Sequence, residues 1–379
     1  MPFNLTQEQT AIQDMARAFA AEQLAPHAAA WDRECVFPVE TLRQAAALGF
    51  GGIYVADDVG GSGLTRFDAA LIFEALSEGC TSTAAFLSIH NMASWMIDGF
   101  GNDTQRRHWL PGLTSMELIA SYCLTEPAAG SDAASLKTRA VREGEDYVLN
   151  GAKAFISGGG VSDIYVCMVR TGGEGPKGIS CLVVEKDTPG LSFGAPEHKM
   201  GWNSQPTAAV IFDDARVPAA NLIGQEGDGF KIAMMGLDSG RLNIGACSLG
   251  TARGALEAAR RYMLERKQFG QLIAEFQGLQ FKLADMATEL EAARLLLYQA
   301  ATKVDDKAPD ATLQAAMAKR FATDVGFNVV NEALQIHGGY GYLQDFPLER
   351  HLRDVRVHQI LEGTNEIMRV IIARELLKQ

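Results

Sequence analysis

No run of about 18 consecutive apolar residues occurs in this chain, so nothing in it reads as a membrane span. Basic residues are outnumbered: 34 Lys and Arg stand against 46 Asp and Glu, a formal charge of -12. That balance argues against non-specific binding to nucleic acid or to an anionic membrane, although a few well-placed arginines can still hold phosphates. The six cysteines (35, 80, 123, 167, 181 and 247) include no C-x-x-C pair, so they are expected to be reduced and mostly buried. The seven histidines do not cluster at metal-ligand spacing. His351 and His358 read as a partly exposed structural pair, and no metal is expected. Walker A, H-E-x-x-H and G-x-S-x-G motifs are all missing. The opening Met1-Pro-Phe-Asn-Leu-Thr6 has neither an apolar core nor a basic amphipathic presequence. That predicts a cytoplasmic protein, and a processed mitochondrial matrix protein would read the same.

What is present is ordinary globular composition, 47% hydrophobic and 21% charged, in 379 residues, enough for two or three domains. Residues 1–120 read as helical. Thr6-Gln-Glu-Gln9 is a capping-box pattern followed by Ile12, Met15, Ala16 and Phe19 at helical spacing. Pro26 and Pro38 punctuate the helices, Gly60 to Gly63 mark a loop, and 68–79 and 84–97 are further apolar-periodic segments. Residues 121–225 change to strands: β-branched or aromatic runs at 147–149, 164–169, 179–184 and 208–212, bounded by Gly, Pro and Asp. No helix separates them, which predicts an antiparallel sheet or barrel rather than a βαβ array. Residues 226–379 return to helices, with one stripe of Leu279, Leu283, Met286, Leu290 and Leu297, and Pro309 at the start of another helix. The fold class expected is α+β multidomain: an N-terminal helical domain, a middle β domain, and a C-terminal domain like a four-helix bundle.

Several motifs carry chemistry or its imitation. Gly173-Glu-Gly175-Pro-Lys-Gly178 matches a dinucleotide fingerprint in letters only. Pro176 interrupts it and a strand follows, so a hairpin loop is expected. Tyr122 to Asp132 joins the helical and β regions through Pro127, Gly130 and Ser131, where small residues let a ligand approach; an ordinary turn explains it equally. Lys153 to Gly160 places Phe155 and Ser157 two apart on a strand beside a glycine run. An aromatic with a hydroxyl nearby suits a flat ring, and a strand aromatic facing the core is the plainer reading. Arg266-Lys-Gln-Phe-Gly270 ends a long helix with Gly270 as a C-terminal cap, and Arg266 is either a dipole partner or a phosphate ligand. Finally, Gln335-Ile-His-Gly-Gly-Tyr-Gly-Tyr342 and Leu361-Glu-Gly-Thr-Asn-Glu366 are glycine-rich breaks between helices. By itself Glu362, beside a helix start, reads first as a capping or dipole partner.

Taken in order, these five motifs resemble the acyl-CoA dehydrogenase family over essentially the whole chain. Lys177 to Cys181, Thr188 to Phe193, Gly201 to Pro206 and Val357 to Gly363 look most like the branch that acts on isobutyryl-CoA. The resemblance implies an FAD site built from Tyr122, Leu124, Thr125 and Ser131 with Phe155, Ile156 and Ser157; many members carry Trp where Phe155 stands. It implies that Arg266, Gln268, Phe269 and Gln277, with Gln335, Gly338 and Gly339, hold the pyrophosphate and adenosine half across a subunit boundary. Thr364, Asn365 and Glu366 complete the site. Ser131, Asp238, Arg241, Gly363 and Arg374 match positions that contact the acyl-CoA. The reaction implied is α,β-dehydrogenation, with a base removing the proton at carbon 2 and hydride leaving carbon 3 for flavin N5.

The resemblance assigns that base to Glu362. Some relatives place it on the helix at the position of Gly240, and glycine cannot serve. Burial against an acyl chain is expected to raise the Glu362 pKa. Leu361, where straight-chain relatives often have Tyr, leaves room for a methyl branch and favours isobutyryl-CoA over 2-methylbutyryl- or butyryl-CoA. An acyl-CoA oxidase, a flavin nitroalkane oxidase or monooxygenase, and a non-catalytic acyl-CoA-binding protein remain the competing readings. Electron-transferring flavoprotein as acceptor and a homotetramer are implied by the resemblance alone.

Overall fold

Thr6 opens the first helix as its capping box predicts: its hydroxyl accepts the Gln9 N–H while the Gln9 side chain accepts the Thr6 N–H. The computed structural model describes residues 5–378, so the outermost residues of the first and last regions lie outside the described residues. Helix α1 (Gln7–Phe19) runs into one π turn and is followed by α2 (Ala28–Glu34) and α3 (Val39–Ala47). Then come α4 (Arg66–Gly79) and α5 (Thr81–Phe100), over the apolar-periodic segments 68–79 and 84–97, and α6 (Asp103–Thr114). Thr65 and Asn102 provide capping boxes for α4 and α6, so these starts are written locally.

The middle region contains β1 (Ala120–Cys123), β2 (Arg139–Glu143), β3 (Asp146–Ser157), β4 (Ile164–Arg170), β5 (Ile179–Glu185), β6 (Leu191–Phe193), β7 (Thr207–Pro218) and β8 (Leu222–Ile223). They form one sheet in the order β6-β7-β3-β2-β4-β5-β8, with β1 added on β4. Gly173 to Gly178 lies in the β4–β5 hairpin connection, as expected from Pro176. The sheet is antiparallel except that β1, and one bridge of β2, run parallel to β4. A parallel pair needs a crossover, and here the β2–β3 hairpin supplies it, which strand patterning alone does not reveal.

Helix α7 (Gly229–Glu265) leads back to helices α8 (Gln277–Asp305), α9 (Ala311–His337), α10 (Leu348–Arg356) and α11 (Asn365–Leu376). Gly270 does not cap α7, which ends five residues earlier at Glu265. Phe269 (φ 52°) and Gly270 (φ 81°) instead turn a small hairpin between β9 (Lys267–Gln268) and β10 (Gln271–Leu272). Two consecutive left-handed residues are what a two-residue hairpin needs, so the glycine serves that turn.

Helices of the first and last regions share one core. α4 lies so close to α7 that a Cβ on Gly250 would stand 1.9 Å from the Glu74 carbonyl. Buried Glu74 accepts from Arg294 Nε (2.8 Å) and Tyr298 Oη (2.9 Å), tying α4 to α8. His351 and His358, expected to be partly exposed, are both buried. α10 and the turn after it pack inward, and His358 Nδ1 lies 2.6 Å from Ser248 Oγ on α7. Five of the six cysteines are buried and all are free; Cys35 is exposed. Among the described residues no helix is long and apolar enough to cross a membrane, and no cluster of metal-ligating side chains occurs.

Candidate active site

Glu362 sits in the turn before α11, but it does not cap that helix. Thr364 does, accepting the Ile367 N–H with its hydroxyl at 3.3 Å. Glu362 (φ 54°) and Gly363 (φ 92°) are successive left-handed residues. A non-glycine residue held there costs of order 1–2 kcal/mol and persists only where its surroundings hold it. Those surroundings are two cations. Arg241 Nε on α7 donates to the Glu362 carbonyl at 3.3 Å, and Lys319 Nζ on α9 donates to the Gly363 carbonyl at 2.8 Å.

The Glu362 carboxylate points at α7. Its Oε2 is buried without a hydrogen-bond partner, and a Cβ built on Gly240 would stand 2.4 Å from it. Burial pushes the Glu362 carboxyl up to about 7, with Lys319 and then Arg241 holding it from rising further. The other nearby carboxylate is already engaged. Asp238 accepts from Arg241 Nη1 at 2.6 Å and from Thr312 Oγ1 at 2.9 Å. Arg241 is buried, whereas Arg374 is exposed at the end of α11 beside Glu375, outside this cluster.

The edge of the β domain supplies a second group. A bulge between Lys153 and Ile156 throws Phe155 out of the ladder at φ 58°, leaving it 66% exposed rather than in the core. The bulge also breaks the simple two-residue spacing to Ser157 expected of a strand face, while Ile156 stays buried. The end of β1 is stitched to this segment from beneath. Fully buried Lys153 donates to the Leu124 carbonyl (3.2 Å) and pairs with Glu126 (2.7 Å), and Ala154 N donates to the Thr125 carbonyl (2.9 Å). Ser121 Oγ donates to the Ser157 carbonyl at 2.6 Å. Tyr122 lies above, its hydroxyl buried and unpartnered, and burial drives its pKa well up. Ser131 is exposed on the loop beyond.

A third group is separate from the first two. Arg266, Gln268, Phe269, Gly338 and Gly339 line a groove of about 910 Å³. Phe269 is 94% exposed, and the Arg266 guanidinium lies 5.6 Å from the Tyr340 ring centre. Gln277 starts α8 at the edge of this groove, and exposed Gln335 precedes it on α9. Exposed Glu366 is the second residue of α11. Asn365, by contrast, is buried with both side-chain polar atoms engaged by α9, so it braces the loop instead of facing outward.

Models of the acyl-CoA dehydrogenase N-terminal, middle and C-terminal domains match residues 6–117, 121–215 and 227–377. The chain belongs to the acyl-CoA dehydrogenase family. It is 59% identical over 375 residues to the mitochondrial isobutyryl-CoA dehydrogenase of Bos taurus, covering 99% of this chain and 90% of that one. The protein of the same name in Dictyostelium discoideum is 60% identical with the same coverage. The structure of butyryl-CoA dehydrogenase from Megasphaera elsdenii superposes with a TM-score of 0.96 at 39% identity, covering 100% of both chains.

Acyl-CoA dehydrogenases are FAD-dependent oxidoreductases, and the residues present fit that group. The groove offers open space, since a Cβ added at Gly338 or Gly339 meets nothing within 4 Å. Phe155 presents an uncovered aromatic face and Tyr122 a hydroxyl without a partner. Two site features of this acyl-CoA dehydrogenase were not found from sequence. Lys319 and the Lys153–Glu126 pair sit among apolar neighbours, and the sign to look for is a lysine on an otherwise buried face. Ala315, Ala318 and Ala322 surround Lys319 on α9 in this way.

Proposed function

We propose that this acyl-CoA dehydrogenase converts isobutyryl-CoA to methacrylyl-CoA, a step of valine breakdown, with Glu362 as the base at carbon 2. One observation carries the base assignment: the Glu362 carboxylate is buried without a hydrogen-bond partner against Gly240, while Asp238 is tied to Arg241 and Thr312. A pKa near 7 suits a group that must be free of its proton at neutral pH yet basic enough to take one. The Glu362 backbone N–H is the donor we assign to the thioester oxygen, where negative charge grows as the proton leaves. FAD, when bound, supplies the acceptor for the hydride leaving carbon 3.

Tyr122, Leu124, Thr125, Phe155, Ile156 and Ser157 hold the flavin ring in this reading. Arg266, Gln268, Phe269, Gln277, Gln335, Gly338 and Gly339 hold its pyrophosphate and adenosine across a subunit boundary, with Thr364 and Glu366 nearby. Asp238, Arg241, Ser131, Gly363 and Arg374 serve the acyl-CoA. Domain limits of 1–120, 121–225 and 226–379, a homotetramer, and electron-transferring flavoprotein as acceptor belong to the same proposal. The compartment is the cytoplasm of a bacterium or the mitochondrial matrix of a eukaryote.

The identity to isobutyryl-CoA dehydrogenases supports the substrate, as does the packing of Leu361 with Trp202 and Ile244 beside the base. Anaerobic titration of the yellow protein with isobutyryl-, 2-methylbutyryl-, isovaleryl- and butyryl-CoA tests it. Isobutyryl-CoA is expected to bleach the flavin fastest, and a clear preference for butyryl-CoA would overturn the substrate while leaving the family intact.

A further inference from the structure

One buried charge near Glu362 is given no role in the proposed reaction. Lys319, on α9, is 0% exposed. Lysine is almost never fully buried without a partner, yet among the described residues the hydrogen bonds of this ammonium go to a carbonyl and an amide oxygen, not to a carboxylate. Its donors go to the Gly363 carbonyl (2.8 Å) and the Asn365 Oδ1 (3.0 Å), the residues that follow the Glu362 turn. Asn365 is itself held by Thr323 and Asp324 on the same helix.

We infer that Lys319 is a positioning residue for the reaction: from α9 it clamps Gly363 and Asn365, and so holds the Glu362 carboxylate over Gly240. This rests on Glu362 being the base. Two arguments support it. The left-handed pair Glu362–Gly363 needs outside restraint, and Lys319 makes the shorter of the two charged contacts to that turn; Arg241, at 3.3 Å, is already committed to Asp238. The second is electrostatic. The charges of Lys319 and Glu362 act on each other directly, and Lys319 is the foremost influence keeping the Glu362 carboxyl from rising further. The other titratable and charged groups around this pair are Asp238, Arg241 and Cys247 on α7, Asp324 on α9, His358 in the turn after α10, Glu366 on α11, Tyr122 on β1 and Tyr54. Arg241 is the second cation of this set to lower the Glu362 pKa.

The test compares Lys319→Gln, which keeps a donor and loses the charge, with Lys319→Arg, which keeps the charge. Lys319→Met replaces the Gln variant if that one does not accumulate as a yellow protein. Rapid anaerobic mixing with acyl-CoA gives the rate of flavin reduction against pH. Infrared difference spectra of the substrate-free protein, with the band assigned through Glu362→Gln, follow the Glu362 carboxyl without turnover. Loss of the charge is expected to move the acid limb and the infrared titration upward by about one pH unit and to slow reduction about tenfold, with acyl-CoA affinity little changed. Lys319→Arg is expected to leave the limb in place. A neutral variant with an unmoved limb overturns the inference, even if its melting temperature falls, because that is all a purely structural lysine would produce. If Glu362→Gln still reduces flavin normally, the base assignment fails first; an inert Glu362→Gln beside an unmoved limb overturns only the role of Lys319.

Discussion

Gly240 on α7 leaves the space that the Glu362 carboxylate occupies: a Cβ added there would lie 2.4 Å from Glu362 Oε2 and 2.9 Å from Met92 Sδ. Both are the far ends of flexible side chains, so an alanine can be accommodated only by displacing them. The helix itself gains, since alanine is favoured over glycine in a helix interior by about 1 kcal/mol. Gly240→Ala is therefore expected to fold and bind FAD normally while its flavin reduction by acyl-CoA drops by about 10- to 100-fold. Reduction at the parent rate would mean that the carboxylate is not held where the structure has it.

With Glu362 as the proposed base, its raised pKa sets the pH dependence of the reaction. The base acts only when deprotonated, and burial has lifted its carboxyl from 4.5 to about 7. kcat/KM should thus rise through neutral pH and fall about tenfold per unit on the acid side of the limb. A profile that stays flat down to about pH 5.5 would contradict the assignment. Linkage runs opposite to that of a salt-bridged carboxylate. A raised folded pKa gives stability that is complete below the unfolded value of 4.5 and is lost as pH rises through about 7. Glu362→Gln should accordingly gain on the parent in thermal unfolding over that window.

Lys153 and Glu126 form a buried pair beneath the β1 end and the Phe155 bulge. Glu126 also accepts the backbone N–H of Lys137 and Thr138, so it stays buried and charged if its partner is removed. Lys153→Met is expected to cost about 3 kcal/mol and to loosen FAD, because the broken clamp leaves an uncompensated charge. Denaturant unfolding and FAD retention on dilution measure both. Unchanged flavin retention would show that the clamp does not shape this edge.

His351 is buried, and burial holds its imidazole neutral with a pKa pushed down to about 3. The folded protein therefore binds fewer protons than the unfolded chain once pH drops below 6.5, and the stability this gives is lost as pH falls toward 3. A His351→Leu variant lacks that dependence. Between pH 7 and 5 the stability difference should move in its favour by roughly 2 kcal/mol. Parallel unfolding midpoints for the two proteins over that range would show that the imidazole is not desolvated.

The helical, β and helical regions were legible because amphipathic periods and turn residues are local properties. The capping box at Thr6 and the Gly173–Gly178 hairpin are read from a few neighbouring residues. What escaped depends on distant partners. The parallel pairing of β1 with β4 joins residues more than forty positions apart (Ala120 with Ile164), and no pattern within either strand announces it. His358 reads as partly exposed until Ser248 and Trp202 close over it. Gly270 serves a hairpin because Phe269 beside it is also left-handed, which a helix-end rule does not foresee.

At the site itself the residue types were visible and their geometry was not. Glu362, Phe155 and Phe269 are all left-handed non-glycine residues. Backbone strain gathers where function demands an unusual side-chain direction, and it is invisible in sequence. Lys319 escaped for a related reason: only the fold shows that its ammonium ends on the turn carrying Glu362.

The removal of the carbon 2 proton by Glu362 is tested most directly by one measurement. Glu362→Gln protein, loaded with FAD, is mixed anaerobically with isobutyryl-CoA and the flavin absorbance is followed. The acyl-CoA should bind with near-parent affinity, and bleaching should slow by at least about 1,000-fold, since the proposed base at carbon 2 has been removed. Bleaching within about tenfold of the parent rate would contradict the account, because some other group would then be taking the proton.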